Sequence, residues 1–452
     1  MTRPLAGRRA RLEGMPGFVV VWAGQLVSVL ASSMTSFALT IWAYQETGSA
    51  TALGAVSTAF ILPFLLLSPI AGAMVDRYNR KLMMMVSDLS AVLATVGILV
   101  LHASGSLQIW HLFGASALMG LGNTFQWPAY SAAISTMLPK AQYSRANGMM
   151  SLVETGPSVL APMLAGALLP LAGLKGILGL DIATFFLAIG ALLVVRVPQP
   201  KRSAEGQAAQ GNLWRESIFG FRYILARRNL LGLLLFFLVL NFVIGMAYQV
   251  IAPFVLARTG NSSTSLGAVQ SAWAVGAVVG GLLIGIWGGF RRRMTSILLG
   301  EFCTGIIGLI LFALGRDLWW WMATAAVGAI FMPFVNGASQ AIWQAKVAPD
   351  LQGRVFSARR LIAWAMGPIT PLIAGALADY VTEPAMASSG WLARTFGPLV
   401  GTGPGSGMAV QFLLAGVAYV ALVAAVYFFV PAVRNLEDIL PDHDEVGEAA
   451  PA

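Results

Sequence analysis

The chain has 452 residues, of which 57% are apolar and only 10% are charged. A soluble domain carries roughly 25% charged residues, so this composition excludes an ordinary soluble protein and indicates a membrane protein. The net charge of +9 would suit nucleic acid, but the basic residues flank apolar runs, and we expect no nucleic-acid partner. A single cysteine, Cys303, and three scattered histidines exclude an internal disulfide and argue against a metal site.

Apolar runs divide the chain into twelve predicted membrane-spanning helices. Each run approaches the roughly 20 residues that a helix needs to cross the hydrocarbon core. The predicted spans are about 18–43, 52–75, 83–101, 107–129, 147–169, 174–195, 230–256, 265–288, 295–314, 318–342, 358–378 and 408–430. They form an N-terminal six-helix bundle at 18–195 and a C-terminal six-helix bundle at 230–430, so the expected fold is all-α.

The remaining segments and the basic residues predict the orientation in the membrane. Residues 1–17 and 431–452 are predicted tails, and 196–229 is a predicted linker with a helix on the membrane surface. If both tails are cytoplasmic, all but four of the 28 Lys and Arg lie on the cytoplasmic side. The four exceptions are Lys175, Arg258, Arg316 and Arg394. We therefore expect a multi-pass protein of the bacterial inner membrane with both termini in the cytoplasm.

Two sequence segments occur twice, once in each predicted bundle. Gly72–Lys81 has a counterpart at Gly285–Arg293, 213 residues later, and Pro162–Leu168 has one at Pro371–Leu377, 209 residues later. Such duplication indicates two homologous bundles. Pairs of this kind build secondary transporters, whose central site lies near the bilayer midplane between the repeats.

The first of these segments, Gly72-x-x-x-Asp76-Arg77-x-x-Arg80-Lys81, resembles motif A of the major facilitator superfamily. Within that superfamily, four further segments resemble the branch that holds macrolide-efflux proteins and the enterobactin exporter. These are Gly24-Gln25, Tyr44–Ser49, Arg145–Gly148 and Asp181–Phe185. The likeness covers residues 15 to 435, and it implies two six-helix bundles, alternating access and proton-driven export.

Motif A and its second copy predict cytoplasmic gates. Asp76 is expected to pair with nearby cations, and Asp88, twelve residues on, is expected within their reach; Glu301 holds the matching place after Gly289. The predicted gate residues are Gly72, Asp76, Arg77, Arg80, Lys81, Asp88, Arg291 and Glu301. Ordinary local pairing of surface charges, worth about 0–1 kcal/mol, is the alternative. Gly289 stands where the second copy should have its acid, so we expect the two gates to be unequal.

Two acids inside predicted spans are candidates for proton coupling or substrate binding. An ionisable group at the bilayer centre costs about 2.5–3.5 kcal/mol on insertion scales, so it usually has a function. Glu154 lies well inside the fifth helix, and its repeat position, 363, is alanine, so the acid does not belong to the shared scaffold. Asp181 in the sixth helix is the second candidate. Structural hydrogen bonds to neighbouring helices are the alternative for both.

Polar and aromatic groups in other spans are candidates for lining the cavity. They are Gln25, Ser32, Asn123, Gln126, Trp127, Asn241, Gln249, Asn336 and Gln340. Such groups usually face a bundle interior, where a helix–helix hydrogen bond is the alternative for each of them. Gly156-Pro157 and Gly367-Pro368 are expected to bend their helices. The cationic residue that drug–proton antiporters carry in the fourth helix is missing near Ser116–Gly122.

These observations predict a secondary transporter that exports an amphipathic small molecule, such as a drug-like natural product or a siderophore, by proton antiport. A lipid or lysophospholipid transporter and a small-solute importer remain the alternatives, because the fold does not encode direction. We expect no enzyme activity, no cofactor and no metal, since the sequence has no catalytic set of residues. The expected partners are the substrate, protons and membrane lipids, and the expected state is a monomer.

Overall fold

The computed structural model describes residues 12–139, 143–198, 221–287, 289–347, 352–387 and 391–441. Within these ranges the chain is almost entirely helical. The described residues contain no strand, and one isolated bridge joins Leu12 to Val195. Most of the predicted N-terminal tail and most of the predicted linker fall outside these ranges, although the linker's described end, 221–226, is helical. The predicted C-terminal tail is described as far as residue 441 and forms two short helices, Pro431–Arg434 and Leu436–Ile439.

Six helices form the N-terminal half. The stretch Tyr143–Val194 is divided at Gly173, whose φ of 65° and ψ of 179° interrupt the helix. Glycine adopts this positive φ at little cost because it has no Cβ. The helices are α1 (Gly14–Thr47), α2 (Ala50–Arg77), α3 (Arg80–Ala103), α4 (Ile109–Met137), α5 (143–172) and α6 (174–194).

Six further helices form the C-terminal half. They are α7 (Arg228–Arg258), α8 (Ser263–Trp287), α9 (Arg293–Leu314), α10 (Leu318–Lys346), α11 (Gln352–Trp364, then Thr370–Leu377) and α12 (Ser406–Phe429). A short helix, Trp391–Val400, precedes α12. α9 passes through a π-helical segment, Thr304–Leu311, in its second half.

Hydropathy explains why these helices lie in a membrane. In the described part of the chain, nine helices are long and apolar enough to cross a bilayer. α5 and α6 count as one continuous stretch there, and α4 and α11 do not meet the criterion over their described residues. The count of twelve crossings therefore stays a prediction. Large apolar side chains face outward, among them Leu171 (84% exposed) and Ile286 (87% exposed), as expected for a surface covered by lipid.

Helix packing holds each half together and joins the two halves. In the N-terminal half, α1 packs against the α5–α6 stretch, while α2 and α3 both pack on α4. In the C-terminal half, α8 packs on α10 and α9 on α10. In the described residues, the most extensive contacts between the halves are those of α2 with α11 and of α5 with α8. These two pairs lie at the end of the molecule away from the chain termini, which we call the distal side; the opposite end is the terminal side.

The expected interruption of α11 is present. Residues 365–369 form turns between its two helical parts, at Gly367-Pro368. Thr58 Oγ1 of α2 donates a hydrogen bond to the Pro368 carbonyl oxygen at 2.7 Å, so a group freed by the break finds a partner in the other half. At Gly156-Pro157 the helical backbone of α5 is uninterrupted.

Candidate functional site

A cavity of about 430 Å³ lies among α1, α2, α3, α4 and α6. All of its described lining residues belong to the N-terminal half. α1 contributes a stripe of hydroxyl groups spaced four residues apart, which places them on one helix face. The stripe is Ser28, Ser32, Ser36 and Thr40. Of these, only Ser32 was predicted from the sequence as a cavity residue, although the four-residue spacing of the others is visible there.

Asp181 of α6 lines this cavity and is only 4% exposed. Ser32 Oγ of α1 donates to its Oδ1 at 2.7 Å, and Thr95 Oγ1 of α3 donates to its Oδ2 at 2.9 Å. A buried carboxylate needs such donors because it has lost its hydration. The carboxylate thus joins three helices at the cavity wall.

Asp88 of α3 forms a second polar cluster in the same wall. Gln25 Nε2 of α1 donates to its Oδ2 at 2.9 Å, and Gln126 Nε2 of α4 donates to its Oδ1 at 2.9 Å. The two amides also meet each other, with 2.8 Å between Gln126 Nε2 and Gln25 Oε1. The described hydrogen bonds of Asp88 are therefore those of a cavity residue, whereas the motif spacing suggested a gate residue.

Lys81 and Glu301, two of the predicted gate residues, have described hydrogen-bond partners outside the predicted gates. Lys81 Nζ donates to the Val195 carbonyl oxygen at 2.8 Å, which ties the start of α3 to the end of α6. The Arg80 side chain is buried. Tyr419 of α12 donates to Glu301 Oε2 at 2.5 Å. Arg291, the predicted neighbour of Glu301, lies exposed in the α8–α9 connection.

The remaining polar candidates are spread over the molecule. Asn123 lines the cavity. Gln249 Nε2 of α7 donates to Ser57 Oγ of α2 at 3.2 Å, so it meets the cavity wall from the other half. Gln340 accepts a hydrogen bond from Arg359 Nη1 at 3.0 Å, away from the cavity. The other two candidates, Asn241 and Asn336, are exposed and are not among the described lining residues.

Five predicted site residues have side chains outside the described set, and their roles stay predictions. They are Gly72, Asp76, Arg77, Trp127 and Glu154. The backbone at each of them is helical.

The described lining has a definite chemical character. It combines two carboxylates and several hydroxyl and amide groups with apolar side chains such as Phe60, Met119 and Phe185. No Lys, Arg or His is among the described lining residues. This arrangement suits an amphipathic molecule with a cationic or hydroxyl-rich part, because carboxylates accept such groups while the apolar wall contacts the rest.

Sequence comparison places the chain in a family. The profile of the Major Facilitator Superfamily matches residues 21–371. Macrolide efflux protein A of Streptococcus pyogenes is 26% identical over 366 residues, which are 80% of this chain and 90% of the relative. The multidrug efflux pump Tap of Mycolicibacterium fortuitum is 26% identical over 373 residues, which are 79% of this chain and 90% of the relative.

Solved structures with the same fold agree with this placement. A bacterial homologue of the human lysosomal transporter Spinster, in an inward-facing and unoccupied conformation, matches with a TM-score of 0.69 and 16% identity, covering 94% of this chain and 99% of that one. A bacterial homologue of the iron transporter ferroportin, in an inward-facing state, matches with a TM-score of 0.62 and 15% identity, covering 91% and 99%. The chain is therefore a membrane transporter, not an enzyme, and it belongs to the major facilitator superfamily.

Proposed function

We propose that this protein exports an amphipathic small molecule, a drug-like natural product or a siderophore, across the bacterial inner membrane by proton antiport with alternating access. The observation that carries the proposal is the N-terminal cavity, whose described lining holds Asp88 and Asp181 together with apolar side chains and no cation. The names of the macrolide and multidrug efflux relatives support a drug-like substrate.

In the proposed mechanism, protons and substrate compete for the same carboxylates. A substrate that enters from the terminal side displaces the protons of Asp88 and Asp181, and protons that enter from the distal side displace the substrate. Glu154 is the third coupling acid, by its position in α5. The gate of motif A, centred on Asp76, closes the terminal side in the alternate state. One chain, acting as a monomer of two six-helix halves, carries the whole cycle.

Inverted membrane vesicles test the proposal. Labelled erythromycin is supplied outside vesicles whose lumen is acidified, and its accumulation inside is measured. We expect accumulation by the wild type that collapses when the pH gradient is dissipated, and a loss of at least tenfold in Asp181→Asn, Asp88→Asn and Glu154→Gln. Asp317→Asn is the control, because Asp317 Oδ1 only accepts a hydrogen bond from Trp320 N within its own helix end. Gradient-driven accumulation that survives all three cavity substitutions refutes the coupling role of these acids.

A lipid-like substrate is the alternative that one further observation favours. An apolar groove of about 390 Å³ lies between α1, α5 and α6, on the opposite side of α1 from the hydroxyl stripe. Val27, Leu164 and Leu171 are among its walls, and its size suits a lipid chain. Labelled lysophospholipid in the same vesicle assay separates the two substrates, since only a lipid transporter accumulates it in preference to erythromycin.

A further inference from the structure

The second sequence repeat forms the contact between the two halves at the distal side. In α5, Gly166 of the segment Pro162–Leu168 lies against Ser263 and Gly267 of α8. In α11, Gly375 of the segment Pro371–Leu377 occupies the equivalent position and lies against Ala50 of α2. We call these two contacts the α5–α8 seam and the α2–α11 seam. The same seven-residue segment thus closes the distal side twice.

Both seams depend on glycine because the backbones approach closely. A Cβ added at Gly375 would lie 2.6 Å from the Ala50 carbonyl oxygen, and one at Gly166 would lie 2.9 Å from the Ser263 carbonyl oxygen. Neither distance leaves room for a methyl group unless the backbone moves. Small residues commonly permit such contacts between membrane helices. Sterically, the two seams are therefore alike.

Their polar contacts differ. In the α5–α8 seam, Ser263 Oγ and Thr264 Oγ1 each lie 3.2 Å from the Gly166 carbonyl oxygen, which are long bonds between neutral groups. In the α2–α11 seam, the Asp379 carboxylate accepts three hydrogen bonds from the other half. Its donors are Ser49 Oγ at 2.6 Å, Ala50 N at 3.0 Å and Thr51 N at 2.8 Å.

These three bonds hold a carboxylate at the N-terminus of α2. Hydrogen bonds to a charged acceptor are roughly twice as strong as neutral ones, and the partial positive charge of a helix N-terminus favours an anion. The repeat position of Asp379 in α5, 209 residues earlier, is Pro170, so the α5–α8 seam has no such acid. The carboxylate is a feature of one seam only.

We propose that Asp379 is a latch that stabilises the distally closed state, and that the α2–α11 seam is consequently the stronger of the two. The latch rests on the proposed alternating access, but it requires neither a particular substrate nor proton coupling. Opening the distal side must break all three bonds of Asp379, because their donors and their acceptor belong to different halves. Among the described contacts, the α5–α8 seam loses only neutral hydroxyl bonds, those of Ser263, Thr264 and Ser271, each 3.2 Å long.

A nearby acid provides a matched control. Glu383, four residues after Asp379, accepts hydrogen bonds from Gly405 N at 3.3 Å and Met408 N at 2.9 Å at the N-terminus of α12. Both partners of these bonds belong to the C-terminal half, so they do not break when the halves separate. Burial raises the pKa of Glu383, while the backbone N–H groups of the α12 terminus lower it. Glu383 lines the same distal pocket as Asp379 and Ser49, but its described hydrogen bonds stay within the C-terminal half.

Spin labels at Ser106 and Asn261 measure the opening of the distal side. Both residues are exposed; Ser106 follows α3 in the N-terminal half, and Asn261 precedes α8 in the C-terminal half. With Cys303 replaced by Ala, the distance distribution between the two labels is recorded in lipid nanodiscs without substrate. We expect Asp379→Asn to raise the ratio of long to short distances several-fold, because one amide oxygen cannot replace two carboxylate oxygens for three donors. Glu383→Gln should leave the ratio at the wild-type value.

A milder variant keeps the test valid if Asp379→Asn fails to fold. Ser49→Ala removes one of the three donors and leaves Asp379 in place, so it should raise the ratio in the same direction by a smaller factor. Wild-type distributions in both Asp379→Asn and Ser49→Ala overturn the latch, whatever the transport assay gives. Lengthened distances in a protein that accumulates no erythromycin support the latch and refute only the substrate.

Discussion

Each of the two cavity acids has one of its hydrogen-bond donors on α1. Gln25, which holds Asp88, and Ser32, which holds Asp181, both lie on α1, seven residues apart. Seven residues are close to two helical turns, so both donors lie on the same face. A movement of α1 therefore changes the hydrogen bonding of both acids together. Through α1, a change in the hydrogen bonding of one carboxylate is therefore coupled to a change in the hydrogen bonding of the other.

Adjacent serines in α1 test this point. Ser32 Oγ donates to Asp181, whereas Ser33 Oγ donates to the Val29 carbonyl oxygen of its own helix at 2.7 Å. A hydrogen bond to a charged group contributes about 1.5–3 kcal/mol, so we expect Ser32→Ala to slow gradient-driven uptake by on the order of tenfold or more. Ser33 also lines the cavity, but its hydroxyl is bonded to its own backbone and not to a cavity acid, so Ser33→Ala should stay within about twofold. Equal rates in the two variants, measured in inverted vesicles, contradict a role for the Ser32–Asp181 bond.

At the scale of the helices, a single buried bond joins α9 to α12. Tyr419 donates to Glu301 at 2.5 Å, and the exposed fractions of the two residues are 2% and 7%. Close to this bond, Gly305 of α9 lies against Tyr419 and Val420 of α12, where the helix has passed into its π-helical segment. The contact therefore combines close packing with one satisfied acid in the interior of the C-terminal half.

Removing the Tyr419 hydroxyl should destabilise this pair of helices. Tyr419→Phe leaves Glu301 without its described donor, and an unsatisfied buried polar group costs about 1–3 kcal/mol, more when it is charged. We expect a lower midpoint of thermal unfolding in detergent, as measured by tryptophan fluorescence. Tyr427→Phe is the control, because Tyr427 lies exposed near the end of the same helix. An unchanged midpoint in Tyr419→Phe would mean that the bond contributes nothing to stability.

The sequence predicts helices better than it predicts contacts between them. Hydropathy was enough to locate the helices, because the bilayer imposes long apolar runs on the sequence. The partners of Asp88 were not predictable from spacing, since Gln25 and Gln126 come from two other helices. Its depth was predictable: Asp88 lies eight residues after Arg80, about 12 Å along α3, which is too deep for a surface gate.

For the whole molecule, the internal repeat has a clear structural meaning. The two Pro-x-x-Ala-Gly-Ala-Leu segments were visible as a duplication, and in the structure each of them packs against the other half at a distal seam. What the repeat did not predict is the difference between the seams. Asp379 lies two residues beyond the repeated segment, and its partners at Ser49–Thr51 belong to a helix some 330 residues earlier in the chain. The repeated segments thus form the close backbone contacts of both seams. Asp379, which has no acidic counterpart in the repeat, adds the latch to one of them.

The basic residues predict the orientation of the protein, and this prediction is open to direct test. The four cations predicted to face outward lie at distal ends, and two of them bind carbonyl groups of the short helix Trp391–Val400. Arg258 Nη2 donates to Val400 O at 2.8 Å, and Arg316 Nη2 donates to Pro398 O at 3.0 Å. These two arginines therefore have a structural reason to lie on the side that the positive-inside rule disfavours.

Cysteine labelling in intact cells decides the orientation. With Cys303 replaced by Ala, we expect Asn261→Cys on the distal side to react with a membrane-impermeant maleimide, and Arg291→Cys on the terminal side to react only after the membrane is permeabilised. Both positions are exposed, so access alone does not separate them. The reverse pattern would place the distal seams in the cytoplasm. The cavity would then load from outside in the distally closed state, and the small-solute importer would replace the exporter as the function to test.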